Sequence, residues 1–172
     1  MRIPPCRPNR ANLRTVDPAT RDGANPRGPS PSLIGEHIPG PNTLRGPEDA
    51  LSIFQAARSR PALEETFVLL LDDAHTGADI VCINDASSAD CVQRIVTLLC
   101  GLAEQSWLAG LVVATARPFA TTVVDDDDLH TWFTLRVLAD DAGVDLIDWF
   151  VLIDGISFSI ADYTQSTSLW IP

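Results

Sequence analysis

The stretch Ala114-Thr-Ala-Arg-Pro-Phe-Ala-Thr-Thr-Val-Val-Asp-Asp-Asp-Asp128 lies between an apolar run and a helical pattern. The apolar run, Leu108-Ala-Gly-Leu-Val-Val113, predicts a buried strand, and the following helix should begin near Asp128. A loop at the exit of a buried strand is a common place for catalytic and binding groups. We therefore expect residues 114–128 to form the functional loop of an α/β domain.

The segments on both sides of this loop alternate between helical and strand patterns. Gly46-Pro47 opens a helix that should end before Pro61, and Ser87 or Ser88 can cap a second helix that runs to about Leu102. The order of elements predicts an α/β, three-layer-like sandwich with a mixed β-sheet. The remaining elements are expected as strands at Thr66–Leu71 and Ala78–Ile83, a helix at Asp128–Asp140, and a hairpin of Val144–Leu152 with Ile156–Ile160 around Asp154-Gly155.

Composition divides the chain into an arm, a domain and a tail. Residues 1–46 hold nine Pro and five Gly, which predicts a disordered arm over residues 1–45, a domain over 46–162 and a tail over 163–172. Residues 47–172 carry a charge balance of -15, which argues against nucleic-acid binding through the domain. No apolar run is long enough to span a membrane, and the first residues lack the apolar core of a signal peptide. A cytoplasmic location is therefore expected.

The loop resembles the metal site of RadC-type JAB/MPN domains, the JAMM metalloproteases, with its ligands replaced. Those domains carry His-x-His-Pro at this strand end, a Ser seven residues after the Pro, and an Asp three residues later. In this chain Pro118 matches the Pro and Asp128 matches the Asp. Thr115 and Arg117 stand at the two His positions, and Asp125 stands at the Ser position.

Two further segments extend the resemblance to roughly residues 46–162. The first joins Gly46-Pro-Glu-Asp-Ala-Leu51 to Leu63-Glu-Glu-Thr-Phe-Val-Leu-Leu-Leu-Asp-Asp73 and is similar to the entry helix and first strand of RadC-type domains. The second, Gly143 to Ser159, is similar to their closing hairpin. The resemblance implies a JAB/MPN fold, whose outline is related to that of cytidine deaminases.

The resemblance also implies a zinc site that this chain has lost. In intact members two His and an Asp hold Zn²⁺, and a Glu on an earlier strand activates the metal-bound water. Thr115 is a poor zinc ligand, and Arg117 places a permanent cation where a dication should sit. The position of the Glu aligns best with Asn84 and next with Asp79, and only Asp79 could act as a base. We therefore expect no zinc and a catalytically inactive domain that acts as a protein-interaction or scaffold module.

Two alternatives remain open for the charged residues of the loop. The run Asp125–Asp128 could attract Mg²⁺ or Ca²⁺ through carboxylate oxygens, or it could simply form an acidic helix start. Arg117 could pair with Asp125 or Asp128 and fill the emptied metal pocket. The alternative function is a divergent metal-dependent hydrolase, a peptidase or isopeptidase, that uses carboxylate ligands.

The helix after the loop carries two apolar stripes. One stripe is expected to pack on the sheet, and the other lies on a face that is normally polar. We interpret the second stripe, and Leu135 and Leu138 in particular, as a surface for a protein partner or a homo-oligomer. The alternative is that a neighbouring element of the chain, such as the helix at 47–59, covers it. The first stripe is Leu129, Trp132, Phe133 and Val137, and the second is Leu135, Leu138 and Ala142.

Overall fold

The computed structural model of the chain describes residues 44–103 and 107–170, with Gly77 and Ala78 described by their backbone alone. The expected arm lies outside the described residues except for its last two positions. Leu44 is buried in the core, and its backbone N–H donates to the carbonyl of His75 at 3.0 Å. The packing of the domain therefore already includes Leu44, two residues before the predicted start.

The described residues form five strands and four helices. Pro47 begins the first helix with Glu48 and Asp49 in its first turn, where acidic groups favour the positive end of the helix dipole. Asp154 and Gly155 have positive φ angles of 44° and 84°, as the predicted tight hairpin turn requires. In chain order the elements are α1 (Pro47–Ala57), β1 (Glu65–Leu71), β2 (Gly77–Asn84), α2 (Ala89–Ala103), β3 (Gly110–Ala116), α3 (Asp126–Asp141), β4 (Asp145–Ile153), β5 (Ile156–Ser159) and α4 (Ile160–Tyr163).

The functional loop is shorter than the sequence predicted. β3 ends at Ala116 rather than Val113, because Glu65 to Leu71 of β1 pair with β3 as far as that residue. α3 begins at Asp126, two residues before the predicted start, because Asp125 caps it. The connection between β3 and α3 is therefore residues 117–125, and Thr115 belongs to the sheet.

The strands form one mixed sheet in the order β2-β1-β3-β4-β5. β1 is antiparallel to both β2 and β3, β3 is parallel to β4, and β4 is antiparallel to β5. β2 and β3 consequently run in the same direction, and α2 and α3 return the chain across one face of the sheet. The predicted α/β sandwich with a mixed sheet is confirmed.

Alternate residues of the strands contribute to two hydrophobic cores, one on each face of the sheet. On one face, Val113 and Trp149 pack with residues of α2 and α3, among them Val96 and Leu135. On the other face, Val112 and Phe150 pack with Phe54 of α1. α1 therefore lies on the opposite face of the sheet from α2 and α3. No described helix has the length and apolar character needed to cross a membrane.

The prediction for the two stripes of α3 is confirmed for Trp132, which is fully buried in the core, but it is wrong for three other residues. Leu135 is fully buried, and Leu138 is half-buried against the same core, so this stripe is not an exposed interface. Phe133 and Val137, which were expected on the sheet, are 55% and 64% exposed. The buried face also contains Asp128, Thr131 and Ala139. Because these residues are polar or small, the helical periodicity of the buried face is not visible as a hydrophobic pattern in the sequence. α2 packs against α3, whereas the helix at 47–59 lies across the sheet.

Candidate functional site

A cleft of about 590 Å³ opens between the first turns of α2 and α3. Both helices follow strands that run in the same direction, so their N-termini meet at one end of the sheet. This end lies outside the carboxyl ends of β2 and β3, where open α/β sheets commonly bind ligands. Its lining includes Ser87, Ser88, Arg117, Phe119, Asp125 and Asp128.

The side chains of Arg117 and Asp128 form a buried bidentate ion pair at the base of this cleft. Arg117 Nη1 lies 2.7 Å from one carboxylate oxygen of Asp128, and Nη2 lies 2.6 Å from the other. Arg117 Nε donates to the backbone carbonyl of Ser87 at 2.9 Å, which links the pair to the start of α2. The side chains are 11% and 1% exposed, respectively. Such charge-assisted, two-point contacts are among the strongest polar interactions in proteins.

Asp125 and Asp128 also form the capping box of α3. The Asp125 side chain accepts from the Asp128 backbone N–H at 2.9 Å, and the Asp128 side chain accepts from the Asp125 backbone N–H at 3.1 Å. These two contacts satisfy backbone donors that a helix start otherwise leaves unpaired. Of the two partners that the sequence allowed for Arg117, the structure therefore selects Asp128, and Asp125 has a separate role.

Thr115 is a buried residue of β3 rather than a residue of the loop. Its hydroxyl oxygen accepts from the indole N–H of Trp149 at 3.2 Å. β3 residues alternate in direction, so Thr115 and Arg117 both project toward the face that carries α2 and α3. Thr115 thus satisfies a buried tryptophan, and the cleft is lined by Arg117 and not by Thr115.

Neither candidate position for a catalytic base lies at this site. Asp79 pairs with Leu70 of β1, whereas Thr115 pairs with Thr66 of the same strand. Four residues of β1 therefore separate Asp79 from the level of Thr115, a distance of roughly 13 Å along the strand. Asn84 lies at the correct end of β2 but alternates onto the opposite face. Ile83 is the β2 residue that shares both the rung and the face of Thr115.

The residues at the matched positions do not fit zinc. The Asp128 carboxylate is held by a guanidinium, the Thr115 hydroxyl is held by an indole, and Arg117 contributes a positive charge instead of a lone pair. Asp126 and Asp127 are exposed first-turn residues of α3, and Asp125 is its cap. His130 also lines the cleft and is exposed.

Besides Asp128, two acids are buried that sequence reasoning did not identify, Glu65 of β1 and Asp148 of β4. Asp148 has partners on two further elements of the fold. Its carboxylate accepts from Ser159 Oγ at 2.8 Å, from the Trp149 backbone N–H at 2.7 Å and from the Ala161 backbone N–H at 3.3 Å. Burial raises the pKa of Asp148 above its ordinary value, although these hydrogen bonds oppose the shift. An acid within the apolar run Asp145–Ile153 was the available signal, and the contacts indicate a structural link between β4 and the start of α4.

A comparison of this sequence with models of protein families gives no match, and a comparison with curated proteins gives none at a significant level. The resemblance of this chain to RadC-type domains therefore depends on the sequence segments quoted above.

Proposed function

We propose that this protein is a RadC-like JAB/MPN domain without metal chemistry, which acts as a protein-interaction or scaffold module. The observation that carries the proposal is the buried Arg117–Asp128 ion pair. In the proposed correspondence Arg117 stands at a histidine-ligand position, so its guanidinium would take over the role of the metal as the cation beside Asp128. It neutralises the Asp128 carboxylate, which would otherwise be buried without a partner at a cost of several kcal/mol.

The α/β sandwich and the place of the cleft support the same proposal. The mixed sheet with helices on both faces is the architecture that the resemblance implies. The cleft lies at the end of β3, where the resemblance places the family's metal site. A hydrolase that used carboxylate ligands would need free oxygens on Asp125 and Asp128. Both Asp128 oxygens accept from Arg117, and Asp125 Oδ1 accepts from the Asp128 backbone N–H.

Metal content measured by plasma mass spectrometry tests the loss of the zinc site. We expect well below 0.1 zinc per chain in protein purified without chelators, because the donor set lacks two of its three ligands. The matched variants are Asp128→Ala, which removes the remaining ligand, and Thr115→His with Arg117→His, which restores the family pattern. One zinc per chain in the wild type that is lost on Asp128→Ala would contradict the proposal.

Hydrolase activity provides a second and independent test. Wild-type protein and the Asp128→Ala variant should cleave quenched fluorescent peptide and isopeptide substrates equally slowly, at the background rate, with and without added zinc. A zinc-dependent rate that the wild type shows and the Asp128→Ala variant lacks would favour the alternative function, a divergent metal-dependent hydrolase.

A further inference from the structure

β2 forms one edge of the sheet, and its outer side faces no other strand among the described residues. Its eight residues, Gly77–Asn84, give an edge roughly 27 Å long at about 3.4 Å per residue. An open edge presents unpaired backbone N–H and C=O groups, and proteins commonly protect such edges with Pro, Lys or a covering loop. β2 contains no Pro and no Lys, and its one charged residue is Asp79.

The side of α2 above this edge is apolar and partly exposed. Val92, Val96 and Cys100 point into the core, and Gln93 lines the cleft toward α3. At 100° per residue the side opposite to Gln93 therefore overlooks β2. Leu98 and Leu102 on this side are 66% and 51% exposed. We define the outer flank of α2 as Cys91, Ile95, Leu98 and Leu102, which contains no charged residue although the whole chain carries a net charge of -11.

We propose that the β2 edge and the outer flank of α2 together form an interface with a second copy of this chain. A two-fold axis perpendicular to the sheet would place the two β2 strands side by side and antiparallel, and the two sheets would join into one of ten strands. The same axis keeps each α2 on the same face of the joined sheet. The two outer flanks would consequently meet directly above the paired strands.

A second copy fits this surface because the surface is complementary to itself. A two-fold interface brings the same patch of both molecules together, so an apolar flank meets an apolar flank and an open edge meets an open edge. The flank adds no charge of its own, and Arg94 beside it already pairs with Asp90 at 2.6 Å, so the exposed Asp79 of each β2 is the like charge that opposes this pairing. Each copy contributes one 27 Å edge and a helix layer, roughly 500 Å² per copy, or about the 1,000 Å² that a specific interface needs.

The mass of the 172-residue chain in solution tests the proposal directly. The chain has a mass of 18.6 kDa, and sedimentation or light scattering at concentrations from about 1 to 200 μM should show a rise toward twice this value. Leu98→Glu with Leu102→Glu should remain monomeric throughout this range. Phe133→Glu with Val137→Glu is the matched control, because these residues of α3 are similarly exposed, and it should dimerise like the wild type.

Hydrogen exchange of the wild-type protein gives a second measurement that requires no variant. Backbone amides of β2 should exchange more slowly at 200 μM than at 1 μM, whereas amides of β5, at the other edge, should not change. A wild type that stays monomeric at 200 μM overturns the proposal. This holds even if the backbone amides of β2 exchange slowly, because another segment of the same chain would then cover the β2 edge. Dimerisation that survives Leu98→Glu with Leu102→Glu overturns it as well, whatever the Phe133 and Val137 control shows.

Discussion

Replacement of Arg117 by Met tests whether the buried Arg117–Asp128 ion pair stabilises the domain. Met keeps much of the volume of the Arg side chain but removes its charge and its five donors. The Asp128 side chain is 1% exposed, and its carboxylate would lose both contacts with the guanidinium. It would keep the hydrogen bond from the Asp125 backbone N–H. Ser87 would also lose the guanidinium that its carbonyl accepts from.

The expected loss in the free energy of unfolding is about 3–5 kcal/mol, the usual cost of removing one partner of a buried pair. The loss should fall in this range because only 11% of the Arg117 side chain is exposed, so solvent screens the pair weakly. Stabilities of small domains are typically about 5–15 kcal/mol. The Arg117→Met variant should therefore remain folded but become markedly easier to denature.

Urea denaturation of a double-mutant cycle separates the pair from its surroundings. Asp128→Asn removes the charge but keeps an oxygen that can accept from the Asp125 backbone N–H. The variant that combines Arg117→Met with Asp128→Asn contains neither charge and should be more stable than Arg117→Met alone. A loss below about 1 kcal/mol in Arg117→Met, or a double variant less stable than Arg117→Met, would refute the reasoning.

Three further predictions concern buried residues outside the ion pair. Leu135→Ala should cost about 2–5 kcal/mol by chemical denaturation, whereas Phe133→Ser should change stability by less than about 0.5 kcal/mol; comparable losses would mean that the buried face of α3 is misassigned. Thr115→Val should cost about 1–3 kcal/mol, because it leaves the indole N–H of Trp149 without its acceptor, and an unchanged urea midpoint would contradict this. The pKa of Asp148 in the folded state is raised above its ordinary value of 3.8, so the folded state binds the proton more tightly than the unfolded state does. The contribution of Asp148 to the free energy of unfolding should therefore fall as the pH rises from 3.8 through the raised pKa. Asp148→Asn should remove this fall. If the difference in the free energy of unfolding between wild type and variant stays constant from pH 3 to pH 7, the prediction is wrong.

The sequence predicted the order and type of the main elements because these depend on local patterns. Pro47 at the start of α1 and Asp154-Gly155 in the last hairpin favour their local structure through their own backbone preferences, without contacts to distant residues. Boundaries were less predictable at β3. Ala114 to Ala116 are small residues whose burial follows from the pairing of β1 alongside them.

The sequence limited the possible ion-pair partners of Arg117 to two residues but could not decide between them. Spacing indicated that Arg117 would pair with Asp125 or Asp128, and the capping box decided between them because it commits Asp125 to the helix backbone. Two contacts were not accessible to sequence reasoning. The Ser87 carbonyl lies 30 residues from Arg117, and the Trp149 indole lies 34 residues from Thr115.

The sequence by itself determined the α/β class and the strand exit that carries the candidate site, because residue identity and periodicity are local properties. The tertiary structure alone decided which side of α3 is buried and which edge of the sheet stays open. Asp128 and Thr131 face inward because Arg117 and the packing of α2 satisfy that side, whereas Phe133 and Val137 face solvent. The order β2-β1-β3-β4-β5 likewise leaves β2 at an edge beneath an uncharged flank of α2. Both results depend on contacts between distant segments, which hydrophobic periodicity does not encode.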